Sequence, residues 1–267
     1  MTDFLSKNEI NISKEFEKKG YLVKDITDSQ SLAKIRKIFV NLIKKNILIK
    51  TKYTKDSDIL NFIHKNIQSN KLNNFRLKLI NEVNKNKELR RLYYNVARSY
   101  LDILLGNELS MQLRINLSIQ LPDDKSSLLP LHSDVWSGDS PFEIVVWLPL
   151  VDCYKTKAMY ILPPSKYEKM KKIFLHKASK SSEKIFKKIK KDLYWIKIKY
   201  GQVLLFNQCL PHGNIVNKEN ETRWSLNCRF KGVFTPYNDK KIGEFFEPVT
   251  LRTISKLAIK YSLPKIK

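Results

Sequence analysis

Two short segments hold the residue types best suited to chemistry: Leu131-His132-Ser133-Asp134 and, eighty residues beyond His132, Pro211-His212-Gly213. The chain has only four histidines, and two of them stand here. Side chains on an extended segment alternate with period two, so His132 and Asp134 project to one face. A second imidazole brought to that face completes a set of two nitrogens and one carboxylate. Such a set holds non-haem Fe(II) and leaves positions open for oxygen and a co-substrate, so it points to dioxygen activation. A His-X-Asp triplet also arises by chance, and a surface histidine needs no ligand role. The context of each segment therefore has to be weighed.

That context is strand-like. A turn-rich stretch from Val135 to Pro141 leads into Phe142 to Leu150, an apolar run that reads as a buried strand. Gly201 to Phe206 reads as a strand entered from a turn, shortly before His212. Beyond it, Arg223, Ser225, Asn227 and Arg229 alternate with Trp224, Leu226, Cys228 and Phe230. The stretch Met111 to Gln120 alternates in the same way, with Gln112, Arg114, Asn116, Ser118 and Gln120 on one side. Such strands either turn their polar side to water or line a polar cavity with it. An anionic co-substrate needs the second arrangement, because a carboxylate taken out of water must be paired, and arginine pairs it through a bidentate fork. Trp136 shares the parity of Asp134 and is a candidate substrate contact, together with Arg114, Asn116, Asn227 and Arg229.

The elements that must position these residues fall into two parts. Up to about residue 110 the pattern is mainly helical: a helix ending at Lys14 to Lys19, a strand over Gly20 to Asp25, and a helix over Ser29 to Lys45 with Asp28 as its N-cap. Further helices are expected over Asp56 to Ile67, Asn73 to Val83 and Glu88 to Leu105. Residues 111–248 read as short alternating strands, an α+β chain whose second part is an antiparallel double sheet. Residues 163–192 interrupt it with two basic amphipathic helical stretches, Lys166 to Leu175 and Ser181 to Lys191, expected as a solvated cover, with a substrate lid as the second reading. Residues 249–267 add a C-terminal helix around Val249 to Tyr261, with no chemistry assigned. His64 and His176 read as packing or surface residues. A single domain over 1–267 suffices for this length.

Composition narrows the classes. No apolar run is long enough to span a membrane, and the first residues lack a cationic-then-apolar leader pattern, so a cytoplasmic location is expected. Cys153, Cys209 and Cys228 read as reduced core thiols rather than a disulfide or zinc set. The formal net charge of +24, from 50 basic and 26 acidic residues, favours anionic partners. Yet the cations are mostly lysine in a chain also rich in isoleucine and asparagine, while specific readers of nucleic acid lean on arginine. The charge therefore reads first as compositional bias, with attraction of a phosphorylated or nucleotide-linked sugar as the second choice, and nucleic acid is not the expected partner. Oligomeric state is not legible.

Taken together, Phe16 to Val23, Asn116 to Asp123, His132-Ser133-Asp134, Trp147-Leu148-Pro149-Leu150, His212 and Arg223-Trp224-Ser225 resemble the Fe(II)/2-oxoglutarate-dependent dioxygenases of the phytanoyl-CoA dioxygenase-like group. Within it, the chain is most similar to the bacterial oxygenases of carbohydrate biosynthesis clusters. The resemblance covers most of the chain. It implies a double-stranded β-helix (a jelly-roll or cupin-like fold) with N-terminal helices packed on one sheet. It also implies His132, Asp134 and His212 as ligands of catalytic Fe(II), and Arg223, eleven residues after His212, as the partner of the distal carboxylate of 2-oxoglutarate. Ser225 matches the Arg-X-Ser pattern of related oxygenases, and Trp147 and Asn214 match co-substrate-pocket positions. The acidic residue at 134 stands where related halogenases carry a small one, so halogenation is not expected. The activity implied is oxidation of a polar small molecule, a sugar, nucleotide sugar or glycan precursor, with O2 and 2-oxoglutarate consumed. Two alternatives stay open on the residues: an oxygenase of the same chemistry directed at nucleic acid, and a non-catalytic jelly-roll binding protein.

Overall fold

The computed structural model describes residues 4–47, 53, 55–175 and 181–262; His176 lies outside them. Helix α1 (Lys7–Lys19) ends at Gly20, whose φ of 73° and lack of a side chain both matter: a Cβ there would meet Leu210 at 2.2 Å. The chain then enters β1 (Tyr21–Asp25) and α2 (Ser29–Asn46), the latter capped as expected by Asp28, whose carboxylate accepts from Ser31 N at 2.9 Å. The third expected helix is shorter, α3 (Asp56–Asn61), with a 3-10 turn behind it. After α4 (Ser69–Asn84), the long helix expected over residues 88–105 is two, α5 (Lys87–Asn95) and α6 (Arg98–Leu105). The chain breaks at Ala97, which leaves helical dihedrals at φ −122° and ψ −1°.

Among the described residues the chain forms ten strands in two sheets. The larger sheet runs β1, β7 (Gln202–Asn207), β4 (Glu143–Pro149), β9 (Arg223–Gly232), β2 (Leu109–Gln112), β10 (Phe246–Pro248), with β3 (Asn116–Gln120) also on β9; every pairing is antiparallel. The smaller sheet runs β6 (Tyr194–Trp195), β5 (Met159–Ile161), β8 (His212–Asn214). Parity sorts the core. Ile144, Val146 and Leu148 of β4 and Trp224, Leu226, Cys228 and Phe230 of β9 face the helices, joining Leu32, Phe39, Leu79 and Tyr93 in one apolar cluster. Val145 and Trp147 face the other way and meet Met159, Ile161, Ile196 and Ile198 between the sheets. Trp224 anchors the first layer: it is fully buried, its indole N–H donates to Leu60 O at 2.9 Å, and Phe39 and Phe75 meet its ring edge-on. A buried ring of this size is worth about 3–5 kcal/mol on truncation.

The stretch read as one strand from Met111 to Gln120 is broken. Met111 pairs with Phe230 and Asn116 with Asn227, so five steps on one strand match three on β9 and residues 113–115 bulge out. Asn84 of α4 holds the bulge from both sides, accepting from Ile115 N at 2.9 Å and donating to Ile115 O at 3.2 Å. Arg114 sits in that bulge and points to solvent, which removes it from the candidate substrate contacts.

The insertion forms α7 (Pro164–Leu175) and α8 (Ser182–Ile189). Phe174, Ile185 and Ile189 pack on Leu131, Tyr160 and Leu162, while Lys169, Lys187 and Lys188 remain in water, a solvated cover. Helix α9 (Thr253–Lys260) buries only Ser255. Among the described residues no helix is long and apolar enough to cross a membrane. The cysteines are free, and burial pushes the thiols of Cys153 and Cys228 up to about 12. Ellman titration of the native protein is therefore expected to find one reactive thiol, Cys209, and all three only after unfolding; prompt reaction of a second native thiol would contradict this burial.

Candidate metal centre

The eighty-residue gap between the two histidines is closed by a backbone bridge. His132 N donates to His212 O at 3.0 Å, and His212 N donates back to His132 O at 2.8 Å. His132 thus extends the small sheet beyond β8. Ser133 is extended (φ −128°, ψ 135°), so Asp134 returns to the face of His132. Asp134 is pinned in turn, its N–H donating to Gln208 O at 3.1 Å, while the Ser133 hydroxyl donates to the carbonyls of Gln208 and Cys209. Gly213 allows the close packing here, since a Cβ would meet Tyr160 Oη at 2.6 Å and Leu129 O at 2.8 Å.

The donor atoms of His132, Asp134 and His212 all lie within 4.8 Å of one another, as one metal ion requires. Asp134 Oδ1 is 3.4 Å from His132 Nε2 and 3.7 Å from His212 Nε2. Both imidazoles are oriented by the same device: Nδ1 of His132 bonds Pro130 O at 2.7 Å and Nδ1 of His212 bonds Leu210 O at 2.8 Å. A carbonyl only accepts, so Nδ1 carries the proton and Nε2 presents its lone pair to the metal position. Burial holds His212 down to about 4, with the charge of His132 acting in the same direction, so it is neutral and ready to ligate near pH 7. Burial would raise the carboxyl of Asp134, but the two neighbouring imidazoles and the Arg229 guanidinium, 2.8 Å from Oδ2, outweigh it and hold the group well below the usual carboxylate range.

A cavity of about 380 Å³ opens on these three residues, at the small end of the roughly 300–1,000 Å³ usual for ligand sites. Trp147, Val145, Met159 and Phe206 form its apolar wall, and Arg223, Ser118, Asn116 and Asn227 its polar one. Arg223 is buried, and burial pushes it down to about 10. Its terminal nitrogen donates to Ser118 Oγ at 2.9 Å, yet among the described residues its Nε has no hydrogen-bond partner, and neither does the buried hydroxyl of Ser225 on the same strand face. An arginine buried without a carboxylate is costly, and a carboxylate ligand entering the cavity would relieve that cost.

The other expected residues sort clearly. Trp147 and Asn214 line the cavity, though the Asn214 side chain is engaged, accepting from Leu129 N at 2.8 Å. Asn116 and Asn227 line it as a cross-strand pair, bonded amide to amide at 2.8 Å. Ser225 faces the same way but is not among the lining residues. Trp136 is displaced: a 3-10 turn begins at Asp134 and cancels the strand parity, so the ring lies against Phe174 of α7, with centroids 5.8 Å apart, and not in the cavity. Arg229 lines the cavity, but its guanidinium is committed to Asp134 Oδ2 at 2.8 Å and Asp139 Oδ1 at 3.2 Å, so it is a partner of the acidic group and not a free substrate contact. His64 is a packing residue on Thr222, Nδ1 to Oγ1 at 2.9 Å.

Sequence reasoning missed the supports of this centre. Asp139, buried in the turn after Asp134, also pairs with Lys240 at 2.8 Å, and Gln208 accepts from Arg229 Nε at 3.0 Å while donating to Glu143 at 2.8 Å. Arg76 of α4 reaches the cavity and donates to Ile119 O at 3.1 Å and to the Ser127 hydroxyl. Nothing marks Arg76 among the many cations of the helices. Asp139 had one signal, its place five residues from Asp134 in a turn-rich stretch.

No protein-family model matches the sequence, and no curated protein matches it at the level of sequence. Solved structures do resemble the fold. A nickel complex of the non-haem monooxygenase ThoJ aligns over 90% of this chain and 84% of its own, with a TM-score of 0.55 and 15% identity. The α-ketoglutarate-dependent carbocyclase SnoK from nogalamycin biosynthesis aligns over 92% and 97%, at 0.52 and 16%. EctD from S. alaskensis, solved with 2-oxoglutarate and 5-hydroxyectoine, aligns over 87% and 78%, at 0.53 and 16%. Helices and antiparallel sheets in this chain are thus arranged as in non-haem oxygenases.

Proposed function

We propose that the protein is an Fe(II)- and 2-oxoglutarate-dependent oxygenase, folded as a double-stranded β-helix, that oxidises a polar small molecule. One observation carries this reading: two imidazoles and a carboxylate converge within 4.8 Å on a cavity that also holds a buried arginine lacking a carboxylate partner. A binding module has no need of both features in one cavity. The likeness to ThoJ, SnoK and EctD supports the reading at the level of fold. When bound, Fe(II) and 2-oxoglutarate supply oxygen activation coupled to co-substrate decarboxylation.

The residues of the chain do the placing. His132, Asp134 and His212 would hold the metal, the two histidines through Nε2 atoms whose tautomers are set by Pro130 O and Leu210 O. Arg223 holds the far carboxylate of the co-substrate, and Ser118 fixes the guanidinium by accepting from it at 2.9 Å. Trp147, Val145, Met159 and Phe206 exclude water from the flank of the co-substrate. Asn116, Asn227, Ser126, Ser127 and Arg76 offer donors and acceptors to a substrate. A hydroxyl-rich or phosphorylated substrate uses such groups and an acyl chain does not, which favours a sugar, nucleotide sugar or glycan precursor.

The test is succinate formation with Fe(II), 2-oxoglutarate and O2 against a panel of nucleotide sugars and sugar phosphates. One or more of them is expected to raise succinate above the background without substrate, and Asp134→Ala to abolish both rates. Co-substrate turnover that survives Asp134→Ala would overturn the ligand set.

A further inference from the structure

Helix α9 is built inside out. Its one buried residue is Ser255, whose hydroxyl bonds Glu108, whereas Ile254, Leu257 and Ile259 are 72%, 61% and 64% exposed. Ile254, Leu257, Ala258 and Tyr261 recur at the spacing of one helical stripe, and Tyr261, just past the helix, is 67% exposed. A helix that merely packs would turn this stripe inward. Phe234, 68% exposed, belongs to the same surface, because Glu108 ties the two segments together. The Glu108 carbonyl accepts from Val233 N at 2.9 Å, and its carboxylate accepts from Arg252 N at 2.8 Å. Among the described residues nothing covers these side chains. Arg252, Lys256 and Lys260 are exposed on the opposite side of the helix.

We propose that this surface docks on an anionic lipid membrane, with α9 lying in the plane of the interface. Apolar side chains on one face of a helix and lysines on the other are the pattern that sits at a headgroup boundary, and neither signal is strong enough alone. Charge selects the occupant. A second copy would bring the same cations together on a chain of net charge +24, whereas anionic headgroups attract them. This proposal does not depend on the oxygenase reading, since none of these residues lines the cavity.

Sedimentation of the full-length protein with vesicles tests it. Binding to phosphatidylcholine–phosphatidylglycerol vesicles is expected to exceed binding to pure phosphatidylcholine at least about tenfold, and to weaken as salt is raised from about 0.1 to 0.5 M. The pair Ile254→Asn and Leu257→Asn should lower binding to the anionic vesicles about tenfold or more. The pair Lys256→Gln and Lys260→Gln should lower it by roughly fivefold per cation. The control pair Lys187→Gln and Lys188→Gln on α8 should leave it unchanged. All these side chains are exposed, so each variant is expected to melt as the parent does. The proposal fails if anionic vesicles do not bind, or if the α8 pair lowers binding as much as the α9 lysine pair, which would mean diffuse attraction. It also fails if sedimentation equilibrium finds a dimer that Ile254→Asn/Leu257→Asn converts to a monomer.

Discussion

Replacing Arg223 with methionine is expected to weaken 2-oxoglutarate binding by about a hundred- to a thousandfold while raising the melting temperature of the ligand-free protein. The two effects have one cause. Burial pushes the Arg223 guanidinium down to about 10, well below its ordinary range, so the charged form is disfavoured there. Among the described residues its Nε finds no hydrogen-bond partner and no carboxylate pairs with it. In the free protein the charge is therefore a liability, and an apolar side chain of similar length removes it; such replacements stabilise by about 1–4 kcal/mol. With the co-substrate present the same charge is the counter-ion, and its loss leaves a carboxylate buried and unpaired at a cost of about 3–5 kcal/mol. Lysine should not rescue binding, because a point charge cannot reproduce the planar fork held by Ser118. Calorimetric titration of 2-oxoglutarate and thermal melting of the metal-free protein read the two halves separately. Unchanged affinity, or a methionine variant that melts lower, would show that Arg223 is a structural residue.

That trade of stability for binding was visible in the sequence only as a pattern. Alternation placed Arg223, Ser225, Asn227 and Arg229 on one face of β9, and the structure keeps that face on the cavity because Trp224, Leu226, Cys228 and Phe230 are committed to the helices. A period-two rule holds wherever the backbone stays extended, which is why His132 and Asp134 come together across Ser133. It fails where the backbone does not. Trp136 is lost to a 3-10 turn and Arg114 to a bulge whose cause, Asn84, lies on a distant helix. Neither departure has a local signature. The bond between His132 and His212, the clamp of Asp139 and Gln208 on Arg229, and the inverted face of α9 are likewise tertiary, so spacing along the chain does not reveal them.

Arg229 should change the sign of its effect on metal binding according to whether Asp134 is present. In the intact centre its guanidinium holds Asp134 Oδ2 at 2.8 Å, leaving Oδ1 toward the two imidazole Nε2 atoms. Asp139 and Gln208 lock the fork in place at 3.2 and 3.0 Å. Arg229→Leu frees the Asp134 carboxylate to rotate, and loss of such an orienting partner costs about ten- to a hundredfold in metal affinity. It also strands Asp134 and the buried Asp139 (which keeps Lys240) without their shared cation, a loss of about 3–5 kcal/mol in folding stability. Asp134→Ala removes the only charged ligand and should lower metal affinity by about a thousandfold. Without the Asp134 carboxylate, Arg229 would be left as a cation beside a bound metal ion, and like charges close together in a partly buried site repel by several kcal/mol. Adding Arg229→Leu to Asp134→Ala should therefore recover about tenfold of the lost affinity, whereas the same change alone weakens binding. Titration of Ni(II) or Mn(II) into the two single variants and the double variant measures this directly. An Arg229 effect of the same sign in both backgrounds would mean that the guanidinium neither orients the carboxylate nor senses the metal, and the role assigned to the Asp139 and Gln208 clamp would fall with it.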